Sequence, residues 1–317
     1  MKWIIAAILL LALAVTAFAV MRRRGATRTL APLTPAQQSL RDALRRDVTA
    51  LANLGERHVH APENLHAAAD YVERALGDRV ERQSFETDGV RADNLILEIR
   101  GTSSEIVIVG AHYDTVDGTP GADDNASGVA AMLALARHFN EARPRRTLRF
   151  VAFTNEEPPH FKTEAMGSWR YAQRCHERKE NIVAMLSLEM LGYYDAKRGA
   201  QRYPPPLAAF YPTTADFVAF AGNLKSRALV KQCTRAFRRA NTMPSESAAL
   251  PEAMQQIGWS DQWSFWQFGW PAIMVSDTAL FRNPHYHLDS DTPETLDYDR
   301  MARAVDGLTQ VVADLAR

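Results

Sequence analysis

Phe150-Val-Ala-Phe-Thr-Asn-Glu-Glu157 joins an apolar, strand-like run to two adjacent carboxylates, Glu156 and Glu157. A short apolar run of this kind reads as a buried strand. Two acids at its end repel each other unless a cation or a proton is shared between them. Upstream, the apolar residues 106–111 run into His112-Tyr-Asp114, and Gly121-Ala-Asp-Asp-Asn-Ala-Ser-Gly128 follows. Downstream, Ile182-Val-Ala-Met-Leu-Ser-Leu-Glu189 closes a third run on another acid. Imidazole and carboxylate groups at the ends of buried strands form a donor set for Zn²⁺. A further carboxylate beside such ligands suits the general base of a metal-assisted hydrolysis.

Around these three runs the pattern alternates. Thr34-Pro-Ala-Gln37 reads as a helix start with a capping pair and proline in the first turn, and Leu40, Leu44, Val48 and Leu51 continue it at helical spacing. Residues 62–76, 127–139, 167–174 and 298–315 read as further helices. Residues 80–85, 94–99, 106–111, 148–154, 182–190 and 271–276 read as strands. The alternation implies an α/β fold, a three-layer sandwich whose mixed, largely parallel central sheet carries helices on both faces. Residues 195–258 break it, with Pro204-Pro-Pro206, several aromatics and one helix at 225–239. They read as an insertion that walls the site within a domain spanning 34–317. No internal repeat is evident.

The 317 residues are 46% hydrophobic, enough for one large core. A formal net charge of +0 with no long basic stretch argues against a nucleic-acid partner. Cys175 and Cys233, the two cysteines, match no cysteine-based zinc spacing. They are open to reading as one disulfide or as two separate buried thiols. Residues 1–21 read as a membrane anchor or signal segment, and 22–33 as a linker. The run 3–20 is just long enough to span a bilayer, and Ala17-Phe-Ala19 resembles a signal-peptidase site. The Arg22–Arg24 cluster favours a cytoplasmic C-terminal side by the positive-inside rule, whereas the cleavage-like site favours export. The expectation is a membrane-anchored or secreted protein with its large domain outside the cytoplasm.

In a parallel sheet the strand C-termini share one rim, where ligands bind. His112, Glu156/Glu157 and Glu189 each end a strand in this reading and would meet there. His285-Tyr-His287, with Asp289 and Asp291 beyond, offers a further ligand, and Asp291 could orient it. Asp114 could orient His112 or its neighbours. His58, His60, His66, His138, His160 and His176 have no clustered acids at ligand spacing. Two histidines and three carboxylates exceed the needs of one open zinc site and suit a pair of ions.

Taken in order, His112 to Gly128, Asn155 to Glu157, Leu188 to Gly192 and Tyr286 to Thr292 resemble metallopeptidase family twenty-eight. This family includes secreted bacterial dizinc aminopeptidases and the glutamate carboxypeptidase/transferrin-receptor group. The resemblance spans about residues 34–317. It implies a zinc-dependent exopeptidase that removes N-terminal residues from peptides through a water bridging two Zn²⁺ per chain. It also implies metal ligation by His112, Asp124, Glu157, Glu189 and His287. Asp124 would bridge, Glu157 would share one ion with His287, and His112 would share the other with Glu189. Glu156 would be the general base, Asp114 a residue behind the ligands, and Tyr286 an oxyanion donor. Glu189 stands where many members have Asp, and Gln262 follows Asp261 where they often have His. The alternatives are a carboxypeptidase, a single-zinc glutaminyl cyclase, or a binding protein on an inactive peptidase fold. The aromatics Tyr203, Phe210, Tyr211, Phe217, Trp263 and Trp266 are expected to wall a substrate pocket. The oligomeric state is not legible in the sequence.

Overall fold

The computed structural model describes residues 30–205 and 207–317. The expected anchor or signal segment at 1–21 therefore lies outside the described residues. Among those residues no helix is long and apolar enough to cross a membrane.

The centre is an eight-stranded sheet in the order β1-β2-β4-β3-β5-β8-β6-β7. Its strands are β1 (Val80–Thr87), β2 (Val90–Ile99), β3 (Glu105–His112), β4 (Thr147–Phe153), β5 (Asn181–Glu189), β6 (Val218–Asn223), β7 (Ser245–Leu250) and β8 (Ala272–Ser276). β4, β3, β5 and β8 run parallel in the middle. β1 and β2 form an antiparallel hairpin that continues antiparallel onto β4. On the other side β6 pairs antiparallel with β8 and parallel with β7.

The helices are α1 (Pro35–Ala52), α2 (Pro62–Leu76), α3 (Gly128–Phe139), α4 (Gly167–Glu177), α5 (Arg227–Ala240), α6 (Gln262–Gln267) and α7 (Tyr298–Leu315). β3 shows why they form two outer layers. Its side chains alternate: Val107, Val109 and Ala111 join the core made with α1, α2, α3, α5 and α7. Ile106 and Ile108 join the smaller core made with α4 and α6. A strand buried on both faces reads as a continuous apolar run, which explains the uniform hydrophobicity of residues 106–111. At the start of α1 the Thr34 hydroxyl accepts the Gln37 N–H at 3.2 Å and the Gln37 side chain accepts the Thr34 N–H at 3.0 Å, completing the expected capping box.

Register places the site. His112 pairs with Phe153 and Glu189 pairs with Ser276, so the C-terminal ends of the four parallel strands lie along one rim. The segment 195–258 holds more than the one helix read from sequence. It supplies β6 and β7, which extend the sheet itself. Val218-Ala-Phe-Ala-Gly-Asn and Ser245-Glu-Ser-Ala-Ala-Leu are short, rich in small residues and poor in β-branched ones, so they carry little strand signal alone. Cys175 and Cys233 are two free, buried thiols.

Candidate metal centre

His112 is the last residue of β3. Its Nδ1 contacts the Asp114 carbonyl oxygen at 3.2 Å, which places a ring proton on Nδ1 and directs Nε2 towards the buried acids. That nitrogen lies 3.3 Å from Glu189 Oε2 and 3.5 Å from Asp124 Oδ1. On the other side of Asp124, His287 Nε2 lies 3.2 Å from Asp124 Oδ2 and 3.4 Å from Glu157 Oε1. The structure thus contains two three-residue groups, His112/Asp124/Glu189 and Asp124/Glu157/His287, that share Asp124. Ligands held tetrahedrally at bonds of about 2.0 Å stand about 3.3 Å apart, so the spacing of both groups fits a bound ion.

The polar atoms fit as well. Asp124, Glu156, Glu157 and Glu189 are all buried, and Asp124 Oδ1 and His287 Nε2 are buried without a hydrogen-bond partner. Burial, reinforced by Asp124, pushes the Glu157 carboxyl up to about 7. Burial likewise drives Glu156 well above the usual carboxylate range. Cations at the two groups would remove both penalties. The donor set is imidazole and carboxylate with no thiolate, which suits zinc and related divalent ions.

Neighbouring residues hold these side chains in place. Asp114 Oδ2 accepts the Glu157 N–H at 3.0 Å, tying the Glu156–Glu157 turn to the end of β3. Ser260 donates to Glu189 Oε2 at 2.6 Å, a role that no local sequence signal of a lone serine reveals. Asn125 accepts the Met190 N–H at 3.0 Å and donates to the Leu188 carbonyl at 2.9 Å, joining the Asp124 turn to the end of β5. Asp291 does not orient a histidine. Its carboxylate accepts the backbone N–H groups of Asp123 and Asp124, each at 3.0 Å at the nearest oxygen, and so fixes the turn that presents Asp124. His285 turns away to contact Ser290 Oγ at 2.9 Å, while His287 reaches the acids. Tyr286 stacks on the His287 ring, with centroids 3.8 Å apart.

Arg57 carries no sequence signal, yet it anchors the site from below. Its side chain is fully buried and donates to five carbonyls: Tyr113 at 2.8 Å, Leu51 at 3.3 Å, Gly55 at 3.0 Å, Pro120 at 2.6 Å and Gly121 at 3.1 Å. It therefore joins the segment after His112 to the segment before Asp124. Burial brings its guanidinium down to about 10, and Asp114, Asp291 and Asp124 oppose the fall, so it stays charged at neutral pH.

His58 and His60 differ from the sequence reading. The fold brings Asp117 to 3.2 Å from His58 Nε2 and 3.8 Å from His60 Nδ1. His58 Nδ1 accepts the His60 N–H at 3.2 Å, and the buried His58 Nε2 faces Asp117 without a hydrogen-bond partner, so the three residues form a small polar cluster apart from the acids of the main site.

A cleft opens over the acids, with Pro158, Phe161, Trp259 and Tyr286 in its walls. An apolar cavity adjoins it and shares Glu189, Trp259 and Tyr286. Tyr203, Tyr211 and Phe217 line this cavity as expected. Phe210 is exposed instead. Trp266 packs in the core under β8 with its indole N–H on the Ala272 carbonyl, and Trp263 lies against Trp169. The wall comes instead from Trp259 and from the small residues Ala219, Ala221 and Ala248 of β6 and β7.

A layered α/β scaffold that gathers two histidines and four acids at one strand-end rim defines the class of metal-dependent hydrolases. The sequence pattern of peptidase family M28 matches residues 94–312. The chain belongs to this family and is a metallopeptidase. YfbL, an uncharacterized protein of Escherichia coli (strain K12), is 36% identical over 258 residues, which cover 78% of this chain and 79% of that one. A probable leucine aminopeptidase of Trichophyton verrucosum (strain HKI 0517) is 26% identical over 286 residues, covering 82% and 69%. Among solved structures, the LapA aminopeptidase of Legionella pneumophila superposes with a TM-score of 0.71 at 18% identity, over 93% of this chain and 78% of that one. A glutaminyl cyclase of Fimbriiglobus ruber superposes with a TM-score of 0.63 at 20% identity, over 90% and 97%.

Arg57→Lys tests the anchor. A lysine keeps the charge but cannot span five carbonyls arranged for a planar fork. Each buried carbonyl left without a donor costs about 1–3 kcal/mol. Urea unfolding should show a loss of at least about 2 kcal/mol, and dialysis against a chelator should strip metal faster than from the parent protein. Unchanged stability and metal retention would remove Arg57 from this role.

Proposed function

We propose that the chain is a zinc-dependent aminopeptidase that hydrolyses N-terminal residues from peptides, with two Zn²⁺ per chain. The observation that carries this reading is the pair of ligand groups sharing Asp124, with Glu156 beside them. In this reading His112, Asp124 and Glu189 hold one ion and Asp124, Glu157 and His287 the other. When bound, zinc supplies Lewis acidity for the scissile carbonyl and the attacking water, and a seat for a free α-amine.

The residues divide the remaining work. Glu156 lies 3.8 Å from His112 Nε2 and, with His112 and Glu157, forms a third close group that does not include Asp124. It takes the proton from the attacking water and returns it to the departing amine. Tyr286 lines the cleft, and burial raises its phenol above the ordinary value. It therefore stays protonated and donates to the oxyanion. Asp114 keeps the His112 end of β3 and the Glu156–Glu157 turn in register. The apolar cavity beside Glu189 and Tyr286 receives the side chain of the first residue and favours a hydrophobic one. An inactive binding protein would not need this full set of ligands. A single-zinc cyclase would use one ion, so metal count separates it from the aminopeptidase.

Elemental analysis after zinc reconstitution should find about two Zn²⁺ per chain, and saturation at one would favour the cyclase. Glu156→Gln should keep both ions and lower turnover by about 10²–10⁴, the scale of a lost general base. Glu157→Gln should release metal. Reversed effects of the two changes would reverse the assignment.

Ala221→Phe places a ring in the apolar cavity. The ratio of leucyl to alanyl substrate hydrolysis should fall by about 10-fold or more, since a methylene of fit is worth about 1–3 kcal/mol. An unchanged ratio in the folded variant would locate the side-chain pocket elsewhere.

The catalytic domain is proposed to lie outside the cytoplasm, held or released through residues 3–20, on the strength of that apolar run and Ala17-Phe-Ala19. A cytoplasm-only reporter fused after residue 35 should be silent, and its activity would reverse the topology.

A further inference from the structure

Lys162 has no task in the chemistry above; it stands behind the cleft wall, next to Phe161, and is not itself one of the residues lining the cleft. Its ammonium is 5.3 Å from the centroid of the Phe161 ring and 5.9 Å from that of Trp263. A methyl group added at Gly258 would come within 3.8 Å of it. Phe161 lines the metal cleft, and Trp259, which follows Gly258, lines both the cleft and the apolar cavity. The ammonium is therefore wedged between two segments that wall the cleft. Lys162 adopts a left-handed backbone, φ 55°, and its N–H donates to Met166 Sδ at 2.9 Å. Such a conformation is uncommon for a residue with a side chain, and it fixes where this lysine emerges. Lys162 forms no ion pair among the described residues. Burial lowers its pKa and Glu156 opposes that fall, so the charge stands within the field of the proposed base. A half-buried ammonium against two aromatic rings gains some cation–π attraction, but an incoming anion would compensate it far better.

The geometry of the two cavities sets the direction of the substrate. The apolar cavity shares Glu189, Trp259 and Tyr286 with the cleft, whereas Glu156, Pro158 and Phe161 belong to the cleft alone. If the first side chain fills the apolar cavity, the departing portion of the peptide lies along the Glu156–Phe161 wall. Glu156 has to reach the departing nitrogen to return its proton. In a dipeptide a single α-carbon separates that nitrogen from the terminal carboxylate.

We propose that Lys162 binds the α-carboxylate of the released residue, so that the preferred substrates are dipeptides with a free C-terminus. This rests on the aminopeptidase reading and narrows its substrate class.

The test compares kcat/KM for Leu-Gly and Leu-Gly-amide, which differ only in the terminal charge, in the zinc-loaded parent protein and in Lys162→Met and Lys162→Arg. In the parent the carboxylate should be preferred by about 10-fold or more, the scale of one charge-assisted hydrogen bond, and mainly through KM. In Lys162→Met the ratio should collapse to about one, with the melting curve showing that the variant is folded. Lys162→Arg should retain most of the preference. A parent ratio near one, or the same ratio in Lys162→Met, would overturn the proposal and leave Lys162 as a cation–π anchor. Failure of the parent to cleave either peptide would instead overturn the aminopeptidase reading, and this proposal with it.

Discussion

Buried negative charge is the constraint on which this molecule turns. Asp124, Glu156, Glu157 and Glu189 converge in one cleft, largely out of solvent. Burial and mutual repulsion oppose the ionisation of Glu156, Glu157 and Glu189, and Glu157 is pushed up to about 7, whereas His112 and His287 outweigh burial at Asp124 and hold its carboxyl below the usual range. Their negative charge needs positive charge nearby, and the chain offers two kinds. Among the acids, His112 and His287 complete donor groups suited to divalent ions. Beneath the cleft, Arg57 holds a permanent charge among backbone carbonyls. Metal affinity and local stability are then one quantity, because ligands brought together at the cost of repulsion are relieved by the ion they bind.

The scaffold divides precision from adaptability. β3 and β5 end on His112 and Glu189, so two donors are set by sheet register alone. The remaining donors stand on connecting segments, which would wander without further ties. Asp291 holds the Asp124 turn, Asp114 holds the Glu157 amide, and Asn125 joins the Asp124 turn to β5. Asn155, Met190 and His287 all take left-handed backbone, with φ of 57°, 46° and 60°. Strain of that kind persists where the surroundings over-determine a conformation, and here three residues at or beside the site adopt it.

The substrate side has a different origin. The small residues on β6 and β7 leave space where larger ones would fill it, so the cavity beside Glu189 exists because Ala219, Ala221 and Ala248 are short. Trp259 and Tyr286 border both spaces, so a substrate side chain in one and a scissile bond in the other would contact the same two rings. Placement of the bond and selection of the residue are therefore coupled through shared walls.

Residues whose position follows from local pattern were legible in the sequence. The apolar runs ending in His112, Glu156/Glu157 and Glu189 specify buried strands, and parallel strands must bring their ends to one rim, so the donors and the layered fold could both be read. Thr34 and Gln37 specify a helix start through a contact three residues apart. Residue pattern by itself left His285 and His287 open and the family resemblance pointed to His287; the path of one loop is what brings His287, and not His285, to the acids. Tertiary structure alone decided the tasks of Arg57, Ser260 and Asp291, which act on atoms distant in the chain. β6 and β7 were invisible for a related reason. Their residues have little strand preference of their own and become strands by pairing with β8 and with each other. Periodicity records which face of an element is buried, but it does not record which distant carbonyl, carboxylate or strand will lie against it.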